Sequence, residues 1–131
     1  MGLAKAFLLI FYCFSSSCCL GQQPYVAHAT RTAKLNAITL TDAATGNQFR
    51  LDSARITVTA LNRQGQQVWR TDAWKDNHLN PYRVRRPVIR YFAFGKGEKT
   101  KQKEVIWITY NNTQFGFLDK KTGAFTWLGQ D

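Results

Sequence analysis

The sequence predicts an all-β domain, a compact antiparallel sandwich or small barrel of seven or eight short strands joined by sequential hairpins. Two observations carry this prediction. Apolar and polar residues alternate with a period of two in segments that recur about every eight to twelve residues. No stretch after residue 34 keeps apolar residues at the i, i+3, i+4 and i+7 spacing of an amphipathic helix. A length of 131 residues leaves room for one such domain.

Residues 1–21 have the order of an export signal. Lys5 supplies a positive charge, residues 6–14 form an unbroken apolar run, and small and polar residues then lead to Gly21. The run is too short to cross a bilayer as a helix, which favours a cleaved signal. Two interpretations stay open: cleavage after Gly21, or a lipoprotein signal in which Cys18 or Cys19 carries the lipid. Either predicts a periplasmic, secreted or lipid-anchored protein.

The organisation that follows is simple. Residues 22–34 are polar and lack a period, so they are predicted to form a flexible arm before a single β domain at residues 35–131. The three cysteines of the chain all lie within residues 1–21. The domain is therefore expected to fold without disulfides, on its apolar core alone.

The strands are predicted in order along this domain. Their ranges are 35–41, 47–51, 55–61, 66–70, 87–94, 103–110, 114–118 and 124–128. The third strand alternates most clearly, with Ile56, Val58 and Ala60 predicted to face inward and Thr57 and Thr59 outward. The sixth contains an unbroken apolar stretch at residues 105–108, which predicts a central strand covered on both faces. A strand of that kind favours a sandwich or barrel over an open sheet.

Three predicted turns share one pattern. An Asp or Asn opens the turn and a glycine closes it, at residues 42–46, 62–65 and 119–123. The side-chain oxygen can bind the turn backbone, and the glycine permits positive φ. An aromatic residue follows each glycine by three or four positions: Phe49, Trp69 and Trp127. Over about a dozen residues per copy these hairpins resemble quinoprotein-type β-propeller repeats. A propeller needs at least four four-stranded blades, more than this chain supplies, so the repeat is interpreted as turn chemistry.

The patterns of common enzyme classes are missing from residues 22–131. The segment has no cysteine, its one serine (Ser53) lies outside a nucleophile elbow, and no glycine-rich phosphate loop precedes a helix. Asp72 and Asp76 are the remaining carboxylate pair, which would suit a small carbohydrate-active enzyme. With His78 they would form a weak metal site, but two histidines in all and no recurrent ligand spacing predict neither a metal nor a cofactor.

The charge points to a binding surface. The chain has a formal net charge of +10, and residues 83–103 hold most of the excess. Residues 71–86 lack a strand period, and long loops often carry function. Two interpretations of this loop stay open. In the first it is a recognition surface, with Trp74 and Tyr82 as platforms and Arg83, Arg85 and Arg86 supplying charge; in the second, Trp74, Leu79 and Tyr82 plug one open end of the barrel or sandwich. The candidate binding residues are Trp74, His78, Tyr82, Arg83, Arg85, Arg86 and Arg90.

The leading functional hypothesis is a non-enzymatic binding or accessory module that recognises an acidic protein surface or a polyanionic glycan through a basic stripe. Nucleic acid is disfavoured because the chain carries an export signal and lacks a nucleic-acid-binding motif. Membrane attachment is expected only through an N-terminal lipid. The alternative is a small ligand-binding barrel with an aromatic interior of Phe92, Trp107, Phe117 and Trp127. The third hypothesis is the carbohydrate-active enzyme.

Overall fold

The protein is described by a computed structural model that covers residues 35–97 and 100–131. The predicted export signal at residues 1–21, with Cys18 and Cys19, and the predicted arm at residues 22–34 lie outside the described residues. The elements in chain order are β1 (Ile38–Thr41), β2 (Gln48–Leu51), β3 (Val58–Leu61), β4 (Gln67–Thr71), α1 (Ala73–Asp76), β5 (Ile89–Lys96), β6 (Glu104–Tyr110), β7 (Phe115–Leu118) and β8 (Phe125–Gly129).

The strands form two four-stranded antiparallel sheets, which confirms the all-β prediction and is consistent with a small sandwich. The first sheet has the order β1-β2-β3-β4 and the second the order β5-β6-β7-β8. Within each sheet, therefore, every strand pairs with its neighbours in sequence. Each sheet thus has the strand count of one propeller blade, and the described residues contain two such sheets. No helix within these residues is long and apolar enough to span a membrane.

The core lies between the two sheets. The first sheet contributes Phe49, Leu51, Val58 and Ala60, and the second contributes Ile89, Phe92, Ile106, Ile108, Tyr110 and Leu118. Of the residues predicted to face inward, Val58 and Ala60 are buried, and Thr59 between them is partly exposed. Ile56, also predicted to face inward, lies before β3 and is only partly buried. The rings of Phe49 and Phe94 meet edge to face across the core, with centroids 5.8 Å apart. Aromatic contact of this kind adds to the apolar burial that drives folding.

Strand β6 is central in its sheet, as predicted, and both of its faces are apolar. Ile106 and Ile108 are fully buried in the core. On the opposite face Val105 is buried, and Trp107 packs edge-on against Phe117 with ring centroids 5.8 Å apart. Successive side chains of a strand point to opposite faces, so this pair cannot share an interior with the residues of the core.

The aromatic interior expected for a ligand-binding barrel is therefore not assembled by these residues. Phe92 belongs to the core between the sheets, whereas Trp107 and Phe117 lie on the opposite face of the second sheet. Trp127 lies on β8, at the edge of that sheet, and is 47% exposed. The sequence showed four aromatic residues on strands, but which face each one occupies depends on the strand register.

The three turns adopt the predicted geometry. Their glycines have positive φ: Gly46 at 76°, Gly65 at 81° and Gly123 at 72°. In each turn the side-chain oxygen of the opening Asp or Asn accepts a hydrogen bond from the backbone N–H two residues later. The indole of Trp69 lies against Gly123 of the other sheet and donates a hydrogen bond to the Lys120 carbonyl at 3.0 Å. These turns thus position contacts between the sheets.

Candidate functional site

The loop between β4 and β5 begins with the one-turn helix α1, which the sequence analysis did not predict. Asp72 caps it, its carboxylate accepting from the Lys75 N–H at 3.2 Å. The Asp76 carboxylate reaches back and accepts from the Asp72 N–H and from the Thr71 hydroxyl, both at 3.0 Å. This reciprocal arrangement is a capping box in form. The sequence pattern does not predict this helix, because four residues are too few to show a helical period. Asp72 and Asp76, which cap it, are the signal that could have indicated it.

Both carboxylates of the proposed enzyme pair are therefore engaged in local structure. Asp72 is also paired with Arg86, through a direct contact of its carboxylate with the guanidinium. The residues described at 35–97 and 100–131 contain no cluster of three or more His, Cys, Asp or Glu side chains able to hold a metal ion. Asp72, Asp76 and His78 accordingly do not converge on a metal site there.

Trp74 packs inward rather than presenting its ring as a platform. It lies against the core cluster, and its Nε1 donates to the Gln114 Oε1 at 3.1 Å. The guanidinium of Arg86 lies over the indole, 5.1 Å from the ring centroid, in a cation–π contact. Of the two interpretations of this loop, the plug describes Trp74. Arg86, held by Trp74 and Asp72, shares that structural role.

Gln114 is the residue that joins the loop to the second sheet. It is buried, and its Oε1 also accepts from the Asn112 Nδ2 at 2.7 Å. Its Nε2 donates to the Asn80 carbonyl at 3.0 Å and lies 3.4 Å from the Gln130 Oε1. A buried amide with its donors and acceptors satisfied fixes its partners in place. No local pattern predicts this role, because a glutamine beside a turn is usually exposed.

A cleft of about 370 Å³, here called the aromatic cleft, opens between this loop and the margin of the second sheet. It is lined by residues 78–82 of the loop together with Gln114, Trp127 and Gln130. His78 is exposed and Tyr82 is half-buried. The Tyr82 hydroxyl donates to the Asp131 carbonyl at 3.3 Å, which ties the loop to the last described residue. The cleft thus brings together His78 and Tyr82, two of the predicted binding residues, and Trp127, which was predicted to line the interior of a ligand-binding barrel.

Three of the predicted arginines are exposed, two of them in this loop and one on β5. Arg83 lies over the Tyr82 ring, 4.9 Å from its centroid, and is exposed. Arg85 is exposed in the same loop, and Arg90 is exposed at the irregular start of β5. Within the described part of the chain none of the three forms an ion pair with a carboxylate.

Two residues of this loop have a left-handed backbone conformation, as do four other non-glycine residues among those described. His78 and Arg83, at the two ends of the cleft-lining segment, have φ of 51° and 56°. Non-glycine residues in this left-handed region cost roughly 1 kcal/mol or more each. Hydrogen bonds from His78 N–H to the Lys75 carbonyl and from Leu79 N–H to the Trp74 carbonyl, both at 3.1 Å, hold the first of them. The surrounding contacts thus maintain a conformation that the chain would not choose locally.

A second cleft, of about 480 Å³, lies at the opposite end of β6. Its described lining includes the four lysines Lys101, Lys103, Lys120 and Lys121. Lys120 is bound between Asp42 at 2.6 Å and Glu104 at 2.7 Å. Burial acts to lower the pKa of Lys120, but these two hydrogen bonds outweigh it and raise the pKa. Lys120 is therefore committed to structure, and the other three are exposed side chains.

Comparison of the chain with protein-family models, with curated proteins and with solved structures finds no match. The site therefore has to be interpreted from its own residues. Its observed features are an exposed indole, a half-buried phenol, several amides and, beside the phenol, the exposed Arg83.

Proposed function

We propose that this chain is a non-enzymatic, exported binding module of the cell envelope or extracellular space that recognises an acidic partner. The observation that carries the proposal is the set of exposed arginines, Arg83, Arg85 and Arg90, without a carboxylate partner in the described residues. Unpaired surface charge of one sign attracts partners of the other and speeds their association. The predicted export signal at residues 1–21 supports a location in the cell envelope or extracellular space.

Other contacts favour binding over catalysis. Asp72 and Asp76 cap a helix, and Arg86 neutralises Asp72, which leaves this pair without the free geometry that glycoside hydrolysis needs. The ligand-holding interior is less well supported, since its four aromatic residues occupy different faces of the second sheet. The acidic partner is a polyanionic glycan or an acidic protein surface.

The test uses heparin as the probe and two charge-matched double variants. Arg83→Gln with Arg85→Gln removes two charges beside the aromatic cleft. Arg50→Gln with Arg70→Gln removes two exposed charges from the outer face of the first sheet, where both flank Thr59. The two variants have equal net charge, so a difference between them reports position rather than total charge.

We expect the Arg83/Arg85 variant to bind heparin about tenfold more weakly, from roughly 0.5–1 kcal/mol per exposed charge contact. The Arg50/Arg70 variant should change affinity by less than about threefold. Binding by the unaltered chain should weaken as salt rises from about 50 to about 500 mM, because salt screens exposed charges. Equal losses for the two variants, or affinity that does not respond to salt, would refute the proposal.

A further inference from the structure

We propose that the aromatic cleft is a sugar subsite that holds one acidic pyranose unit of an anionic glycan. This inference rests on the proposed function and deepens it, because it selects a glycan over an acidic protein surface. It also assigns a role to Trp127, which lines the cleft and is 47% exposed.

The first argument is the position of Trp127. In the register of β7 and β8 it pairs with Gly116, which itself pairs with the core residue Ile108. A side chain of that register would ordinarily be directed to the core. Because β8 is the edge strand, the indole lies at the sheet margin, lines the cleft and remains 47% exposed. Large apolar side chains exposed beside a cleft are typical of ligand sites.

The second argument is the chemistry of the walls. An indole face carries partial negative charge, which attracts the polarised C–H groups on one face of a pyranose ring. Tyr82 and the apolar residues Leu79 and Pro81 complete the wall around it. A volume of about 370 Å³ lies near the lower end of the roughly 300–1,000 Å³ typical of small-ligand sites, which suits a single ring better than a longer segment.

The third argument is the polar lining, part of which is held by the buried Gln114 amide. Its Nε2 donates to the backbone carbonyl of Asn80 and lies 3.4 Å from the Gln130 Oε1, and Asn80 and Gln130 both border the cleft. The Thr113 hydroxyl donates to the Asp131 carbonyl at 2.8 Å, which holds the end of the described chain beside them. Amide groups and the exposed His78 imidazole can donate to and accept from hydroxyl groups. A pre-organised lining of this kind reduces the ordering cost of binding.

The fourth argument is charge. Arg83 lies over the Tyr82 ring, at the border of the cleft, and Arg85 follows in the same loop. A carboxylate on the sugar can meet the Arg83 guanidinium in a charge-assisted hydrogen bond. An acidic peptide would supply the carboxylate, but its aspartate and glutamate side chains offer no flat C–H face for the indole. The combination of ring and charge therefore favours a uronic acid unit.

The experiment measures binding of the full chain to a galacturonic acid tetramer by calorimetry, with a glutamate tetramer of equal charge as the peptide probe. Trp127→Ala removes the platform, and Trp127→Phe keeps a smaller ring. Tyr91→Ala is the matched control, since Tyr91 is an aromatic residue, 54% exposed, that does not line the cleft. The urea midpoint of each variant checks folding, and Trp127→Phe replaces Trp127→Ala if the latter destabilises the domain.

We expect Trp127→Ala to weaken binding of the uronate tetramer at least fivefold and Trp127→Phe by an intermediate factor. Tyr91→Ala should leave the affinity for the uronate tetramer unchanged. The glutamate tetramer should bind more weakly than the uronate tetramer, and its affinity should be the same in all three variants. Equal behaviour of Trp127→Ala and Tyr91→Ala, with the Arg83/Arg85 effect intact, would overturn the subsite while leaving the proposed function standing. An equal loss for both tetramers would point to an acidic peptide instead. Binding of neither tetramer, together with loss of the heparin effect, would refute the proposed function itself.

Discussion

Asp42 and Lys120 form an ion pair that joins the turn after β1 to the turn after β7, and so connects the two sheets. The Lys120 ammonium lies 2.6 Å from the Asp42 carboxylate, and the Ala44 N–H donates to the same carboxylate at 3.0 Å. Asp42 is only 6% exposed. The hydrogen bond from Lys120 lowers the pKa of the Asp42 carboxyl below its ordinary value near 3.8. The ionised form of Asp42 is therefore the form that stabilises the fold.

We expect Asp42→Asn to lower the free energy of unfolding by about 2 kcal/mol. Hydrogen bonds to charged groups contribute roughly 1.5–3 kcal/mol each. The asparagine oxygen can keep the Ala44 contact, and Lys120 keeps Glu104, so only one such bond is lost. For a domain of this size the loss corresponds to a fall in Tm of roughly 8–16 °C. Urea unfolding followed by tryptophan fluorescence should show the midpoint shifted by about 1 M with little change in slope.

The pH dependence gives a second measurement of the same pair. A carboxyl whose pKa is lower in the folded state stabilises the fold above its unfolded pKa, and loses that contribution as the pH falls through its folded pKa. The stability difference between the unaltered chain and Asp42→Asn should therefore be full above about pH 5 and shrink below pH 3.8, the ordinary value.

The control is Glu104→Gln, which removes the other partner of Lys120. The Glu104 side chain is 50% exposed, and exposed ion pairs contribute at most about 1 kcal/mol. We therefore expect a loss of under 1 kcal/mol from this change. Equal losses for Asp42→Asn and Glu104→Gln, or a difference for Asp42→Asn that persists unchanged at about pH 2, would refute the reasoning from burial.

Three further substitutions test packing contacts. Gln114→Leu removes the acceptor of the Trp74 indole and should cost about 2–3 kcal/mol, measured as a lower urea midpoint, because a partly buried donor loses its partner. Gly116→Ala would place its Cβ 2.2 Å from the Thr126 carbonyl oxygen, so we expect weakened β7–β8 pairing and a loss of about 3 kcal/mol or more by the same assay. Gly65→Ala meets no atom within 4 Å, and only its φ of 81° should cost about 1–2 kcal/mol. Similar losses at the two glycines would contradict the steric argument.

The strands could be predicted because their signals are local. Alternation at period two is visible within a few residues, and so is the Asp or Asn with glycine that bends each turn. Val58 and Ala60 are buried and Gly46, Gly65 and Gly123 have positive φ, as expected. The one-turn helix α1 could not be predicted from a period, because a single turn has none. Its capping residues, Asp72 and Asp76, were interpreted as a possible catalytic carboxylate pair instead.

The sequence by itself determined an all-β chain of seven or eight short strands joined by sequential hairpins, and the concentration of positive charge after residue 82. Only the tertiary structure decided that Trp74 and Arg86 are committed to packing, and that Tyr82 and Trp127, which are 45 residues apart in the chain, share a cleft. The physical reason is that a side chain's face follows from strand register, and its neighbours from the docking of sheets. Both depend on contacts between distant residues such as Gln114 and Asn80, which no local pattern records.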